Sequence, residues 1–204
     1  MAEIHWHEPL ENVIKKLTEQ SQALSWAHNA SYTWCKTWDT RISLLSIILG
    51  IFAGTGAVAS DTLLPFHGNT TLVGVTSLFV STIQAVNNKL AFAKRAETHR
   101  MASLSYKQLY TKLNIQLNLP RSERQTANEL LLWIQTETER LTEIEPMFPE
   151  SIKKLFHTKF NDLVDYSMPL TLNGLQPVLV VSTPESFVAP TSEQKPTIKI
   201  GIEV

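Results

Sequence analysis

Ser77, Ser81, Gln84 and Asn88, with Gly74 ahead of them, recur at steps of three and four and so share one face of a helix. Hydroxyl and amide groups on an otherwise apolar helix either hydrogen-bond to a neighbouring helix or line a watery path. A second stripe lies upstream: Ser43, Ser46, Gly50, Gly54 and Ala57, which includes Gly50-x-x-x-Gly54. Small side chains there let two backbones approach closely. The plainer expectation is that the two faces pack on each other within one hairpin. The sharper one is that several hairpins assemble and Ser77, Ser81, Gln84 and Asn88 line a pore, with Ser46, Gly50, Gly54 and Ala57 as helix-packing positions.

The remaining candidates for chemistry are sparse. His5-Trp6-His7-Glu8 offers two near-adjacent ligands with no further Cys or His beside them, a weak basis for a metal site. A floppy polar N-terminus is the expectation there. Cys35 is the single cysteine, so no intrachain disulfide forms, and no catalytic partner lies near it in sequence. The chain contains no phosphate-cradling glycine loop, no nucleophile elbow and no His-Glu-x-x-His. Catalytic residues, metal ligands and cofactors are therefore all read as none. A net charge of -1 and a pI of about 6.6 speak against a nucleic-acid partner.

Positioning the two stripes requires two helices. Ile42 to Ser60 is a run of nineteen residues without a charge, between Arg41 and Asp61. A second uncharged run, taken as about Thr70 to Leu90, ends at the Lys89 boundary. Each meets the ~20 mostly apolar residues needed to cross ~30 Å of hydrocarbon. The linker between them holds Pro65 and Gly68 and is short enough to make the helices antiparallel. The polar content of the second run (Thr76, Ser77, Ser81, Thr82, Gln84, Asn87) keeps a buried hairpin in a soluble helical domain as the competing reading. Basic residues stay on the cytosolic side. Lys36 and Arg41 precede the first run and Lys89, Lys94, Arg95 and Arg100 follow the second, while the linker has no lysine or arginine. The reading is a two-pass integral membrane protein with both termini cytosolic. Trp34, Trp38, Arg41, Lys89, Lys94 and Arg95 are then expected at the lipid headgroups. Asn69-Thr70-Thr71 matches a glycosylation sequon on the far side, read as a chance match.

Around this hairpin (41–90) the sequence divides into an N-terminal amphipathic helix (1–40), a cytosolic helical hairpin with a short terminal helix (91–160) and a Pro-rich extended tail (161–204). Pro9 suits the first turn of the first helix, and Leu10, Val13, Ile14, Leu17, Ser21 and Leu24 form its apolar stripe. One long helix is expected to run out of the second span to Asn118-Leu119-Pro120, with Ala102, Tyr106, Leu109, Tyr110, Leu113 and Leu117 facing inward. Ser122 offers an N-cap for the next, whose stripe is Ala127, Leu130, Leu131, Ile134, Leu141 and Ile144. Pro149 opens a last short helix with Ile152, Leu155 and Phe156. The stretch 89–121 is basic and 129–150 acidic, so ion pairs are expected to tune the register of the two helices. The tail holds five of the ten prolines, and Thr197 to Val204 alternates like a strand. It is read as disordered alone and ordered on a protein partner. The fold class is all-α, a two-helix transmembrane hairpin continuous with a cytosolic helical bundle, plus an extended C-terminal tail.

These segments resemble a known family. Gln84-Ala-Val-Asn-Asn-Lys-Leu-Ala-Phe92, Ala96-Glu97-Thr-His99-Arg100-Met-Ala102, Tyr106-Lys-Gln-Leu109, Leu119-Pro120 and Glu145-Pro146-Met-Phe-Pro149 look like the SLATT family. These are two-transmembrane effector domains associated with nucleotide-signalling defence operons, found also in some large DNA viruses. The resemblance covers about Leu10 to Phe156. It implies a non-enzymatic membrane effector that forms homo-oligomers and pores when a partner senses a signal. No sensor or nucleotidyltransferase domain is fused here, and the Pro-rich arm is foreign to the family core. That arm suits the alternative, a structural anchor linking the lipid bilayer to a protein layer such as a virion or scaffold.

Overall fold

The computed structural model describes residues 4–59, 69–162 and 166–173, without the side chains of 56–59, 69–72 and 173. The linker, Ala57, the sequon and Thr197–Val204 thus lie outside the described residues or side chains. Six α-helices follow in order: α1 Glu8–Ala59, α2 Asn69–Leu90, α3 Phe92–Asn118, α4 Ala127–Ile144, α5 Glu150–Phe160 and α6 Leu170–Asn173. A 3-10 turn, Arg121–Glu123, precedes α4. The fold is all-α.

The longest element, α1, runs for 52 residues. Between Leu10 and Leu49 it meets neither glycine nor proline, so nothing interrupts its hydrogen-bond ladder. Pro9 sits in its first turn, where a missing N–H costs nothing. α2 and α3 run back along it. The expected continuous helix from α2 into α3 is broken at Ala91, which takes a left-handed conformation (φ 49°, ψ 45°). The ladder resumes through Ala91 N–H to the Asn87 carbonyl at 2.8 Å and Arg95 N–H to the Ala91 carbonyl at 3.0 Å.

Small residues let α1 and α3 lie close. Ala27 and Ala102 are buried, and Ser25 and Ser103 each donate a hydroxyl to the other's backbone carbonyl, at 3.0 and 2.9 Å. α4 covers this pair through large side chains: Leu10, Ile14, Tyr106, Leu109, Leu113, Leu130 and Leu141 form one core. A second core gathers Ala23, Ala27, Phe148, Phe156 and Leu172 where α5 and α6 cross α1.

Several expectations change. Val13, Ile144 and Leu155 are exposed, because each lies at the edge of its stripe. Thr126, not Ser122, precedes α4, since residues 121–123 are spent on the 3-10 turn. Among the described residues no ion pair joins α3 to α4. Instead Arg121 and Arg124 both clamp Glu11 of α1, and Lys112 stands 3.6 Å over the Trp133 ring. The N-terminus is not loose: Trp6 donates its indole N–H to the Gln125 carbonyl at 2.9 Å and stacks under Arg124. The bundle also extends past residue 160. The Ser167 N–H bonds Glu19, the Tyr166 hydroxyl donates to the Glu19 carbonyl, and Leu172 is buried.

Among the described residues no helix is long and apolar enough to cross a membrane. The described side chains of the uncharged part of α1, 42–55, extend about 21 Å at 1.5 Å per residue, against roughly 30 Å of hydrocarbon. The structure thus supports the helical fold and leaves the transmembrane hairpin unsupported.

Candidate functional sites

Two places depart from ordinary globular chemistry, and they sit at opposite levels of the same long helix.

The first is the hairpin of α1 beyond Arg41 with α2. Its seam is made by Ile42, Ser46, Leu49 and Ala53 on α1 and Val73, Thr76, Val80, Ile83 and Asn87 on α2, all buried or half-buried. Outside the seam the apolar residues are uncovered. Ile47, Ile51 and Phe52 are 59%, 60% and 68% exposed, and Leu78 and Phe79 are 71% and 62% exposed. No described part of the chain shields them.

The two predicted stripes mostly flank the seam. Ser46 is buried in it, but a Cβ added at Gly50 or Gly54 would meet nothing within 4 Å. The close approach expected at these glycines within one hairpin is therefore not made. Ser77, Ser81, Gln84 and Asn88 are all exposed, and the Ser81 hydroxyl donates back to the Ser77 carbonyl at 2.9 Å. At 100° per residue Gly50 and Gly54 lie about 90° round α1 from the centre of its seam, and the polar stripe about 100° round α2. In antiparallel helices those rotations lead to the same side, so the hairpin gathers small and polar residues on one face, and elsewhere exposed Thr55 and Thr82 stand among apolar side chains.

At its base the expected headgroup residues form a mixed collar. Trp38 is 41% exposed under the Arg41 guanidinium, which stands 5.8 Å from its ring. Trp34 is half-buried, packed on Phe92 at 5.9 Å, and Lys89, Lys94 and Arg95 are exposed. Behind them Cys35 is buried against Phe92 and Ala96. Burial pushes its thiol pKa up, opposed by Arg95, so it is not a poised nucleophile.

The second place was not legible as a site in the sequence. His28 of α1 and His99 of α3 are buried, with their Nδ1 atoms 3.0 Å apart. His28 stacks on Tyr106 with the rings 9° from parallel, and Phe148 closes the other side at 4.4 Å. Beyond it, His28 Nε2 faces Glu145 Oε1 at 3.5 Å, each otherwise without a hydrogen-bond partner. The Tyr106 hydroxyl donates to Glu145 Oε2 at 3.1 Å. One tautomer pair avoids opposing lone pairs. His99 Nδ1–H donates to His28 Nδ1, and His28 Nε2–H then points at the carboxylate. Burial, with His28 and Arg95 nearby, lowers the His99 pKa to about 4 against the pull of Glu145. Burial and Glu145 raise that of Tyr106.

This cluster ties α1, α3 and the α4–α5 connection together in one set of contacts. A surface pocket of about 250 Å³ adjoins it, lined by Glu145 and Phe148 with Thr142, Met147, Lys153 and Thr171. Among the described residues no group of three or more His, Cys, Asp or Glu is placed to hold a metal ion. One signal could have found it. Continuing the α1 stripe beyond Leu24 by steps of four and three reaches His28, Ser31 and Cys35, all buried.

No family model, no curated protein and no solved structure matches the chain.

Proposed function

We propose that this chain is a non-enzymatic membrane protein whose α1–α2 hairpin sits among lipid tails and self-associates as a pore-like effector module. The observation that carries this reading is the uncovered apolar surface of the hairpin. Ile47, Ile51, Phe52, Leu78 and Phe79 point outward, while the seam holds apolar residues such as Ile42, Leu49 and Val80 together with Ser46, Ala53 and Thr76. In water a patch of that size is an aggregation liability; in lipid it is the ordinary arrangement. The uncharged part of α1, Ile42 to Ala59, amounts to about 27 Å of helix. A collar of Trp38, Arg41, Lys89 and Lys94 at the base suits anionic headgroups. The resemblance to SLATT effectors points the same way.

The face bearing Gly50, Gly54, Ser77, Ser81, Gln84 and Asn88 is the one turned towards other copies. It combines side chains small enough for close helix contact with groups that hydrate a path. Ion flux through liposomes holding the purified protein tests this. Flux rises with protein density, and Ser81→Leu and Gln84→Leu each reduce it. Absence of flux at every density, in protein that resists alkaline carbonate extraction, overturns the pore and leaves a structural anchor. In such an anchor Tyr166, Ser167 and Leu172 do not belong to the docking arm, since they are seated on the bundle.

A further inference from the structure

α3 carries two apolar stripes on opposite sides. Phe92, Ala96, His99, Ala102, Tyr106, Leu109 and Leu113 face the core. Met101, Leu104, Gln108, Thr111 and Ile115, spaced three and four apart, lie about 170° round the helix from them. Met101, Leu104 and Ile115 are 52%, 45% and 54% exposed. The stripe lines a surface groove of about 400 Å³, edged by Lys107 and Lys112. An amphipathic helix needs one apolar face to join its own bundle, so the second asks for a partner.

The outer face of α4 is the complement. Leu132 is 67% exposed there, and Glu139 and Glu143 follow it along the same face. Within one molecule α3 and α4 are level where Lys112 meets Trp133 and, towards the hairpin, where Tyr106 meets Glu145. By that register Ile115 stands at the height of Leu132, and Lys107 at the height of Glu139. Copies held in one membrane share a height. A neighbour's α4 set beside this groove thus meets apolar with apolar and basic with acidic. A parallel pairing of two α3 grooves also sets apolar against apolar, but it brings Lys107 towards Lys112 of the other copy, a like-charge contact that the α4 pairing avoids.

We propose that the α3 groove of one copy receives the outer face of α4 of the next. This head-to-tail contact makes two different surfaces meet, so it repeats around a ring rather than stopping at a dimer. It rests on the self-association reading given above and specifies which surfaces outside the hairpin perform it.

The test is oxidative cross-linking of full-length protein in membranes. Wild type, whose Cys35 is buried, gives no disulfide-linked species. Ile115→Cys with Leu132→Cys in one chain gives a ladder beyond the dimer, because both positions face outward and cannot bridge within a copy. Mixing the two single variants gives dimers only. In the ladder-forming background Lys107→Glu reduces the yield several-fold, and adding Glu139→Lys restores it. A dimer from Ile115→Cys alone shows two α3 grooves facing each other and overturns the proposal. No ladder, in protein that an amine-reactive cross-linker still joins into oligomers, overturns it too while leaving self-association intact. No oligomer with either reagent removes the self-association reading itself.

Discussion

One helix, α1, serves two regions with opposite rules. From Leu10 to Cys35 its inward side chains are buried against α3 and α4, and its polar groups there are hydrogen-bonded, as Ser21, Ser31 and His28 show. Beyond Arg41, Ile47, Ile51 and Phe52 stand uncovered, while Ile42, Ser46, Leu49 and Ala53 make the seam with α2. The first region is a core that excludes water; the second leaves large apolar side chains that no described part of the chain covers. A single uninterrupted helix can carry both because helix geometry is indifferent to what surrounds it. What changes is whether the rest of the described chain covers the apolar groups.

The comparison breaks most visibly in the bundle core. Leu113→Ala or Leu130→Ala, both at fully buried positions, should lower stability by about 2–5 kcal/mol. Phe52→Ala and Leu78→Ala should leave the same denaturant midpoint unchanged in detergent. Equal losses in both regions would mean the hairpin is covered by protein.

A smaller effect concerns the buried histidines. His99 has a folded-state pKa of about 4 against 6.5 for the free side chain. The unfolded chain therefore binds more protons between these values. Stability is full above pH 6.5 and declines as pH falls towards 4, by roughly 2–3 kcal/mol. Unfolding curves at stepped pH measure this, and His99→Phe should flatten the dependence. Stability rising on acidification would contradict the neutral pair.

Glu11 is held at about 2 by hydrogen bonds from Arg121 and Arg124. Glu11→Gln should loosen the N-terminal arm with Trp6, read as faster amide exchange over residues 4–10 and a weaker dependence on salt. Smallest of all, Ala91→Gly should stabilise the fold by about 0.5–1 kcal/mol, since glycine adopts positive φ without a Cβ penalty. Loss of stability there would mean Ala91 is held by its side chain and not by its backbone.

The turns near Pro120 and Pro146 and most core positions were legible from apolar spacing; the division of α2 from α3 and the short helix α6 were not. Leu10, Ile14, Leu109, Leu113, Leu130 and Leu141 all lie where periodicity puts them. The seam of the hairpin was not. Periodicity marks which residues share a face, but in a segment apolar on most sides it does not say which face turns inward. The seam accordingly lies a quarter-turn from the glycine stripe. Ala91 gave no warning either, because a left-handed break at alanine has no sequence mark. The His28–His99 pair was hidden by a separation of 71 positions in sequence, and only the packing of α1 on α3 brings it together.

Spin labels at Phe52→Cys and Leu78→Cys, in protein reconstituted into liposomes, ask directly what touches the hairpin. Oxygen, which concentrates in lipid, should relax both labels far more strongly than a water-soluble nickel reagent. Stronger relaxation by nickel, or shielding from both, would contradict a hairpin surrounded by lipid tails.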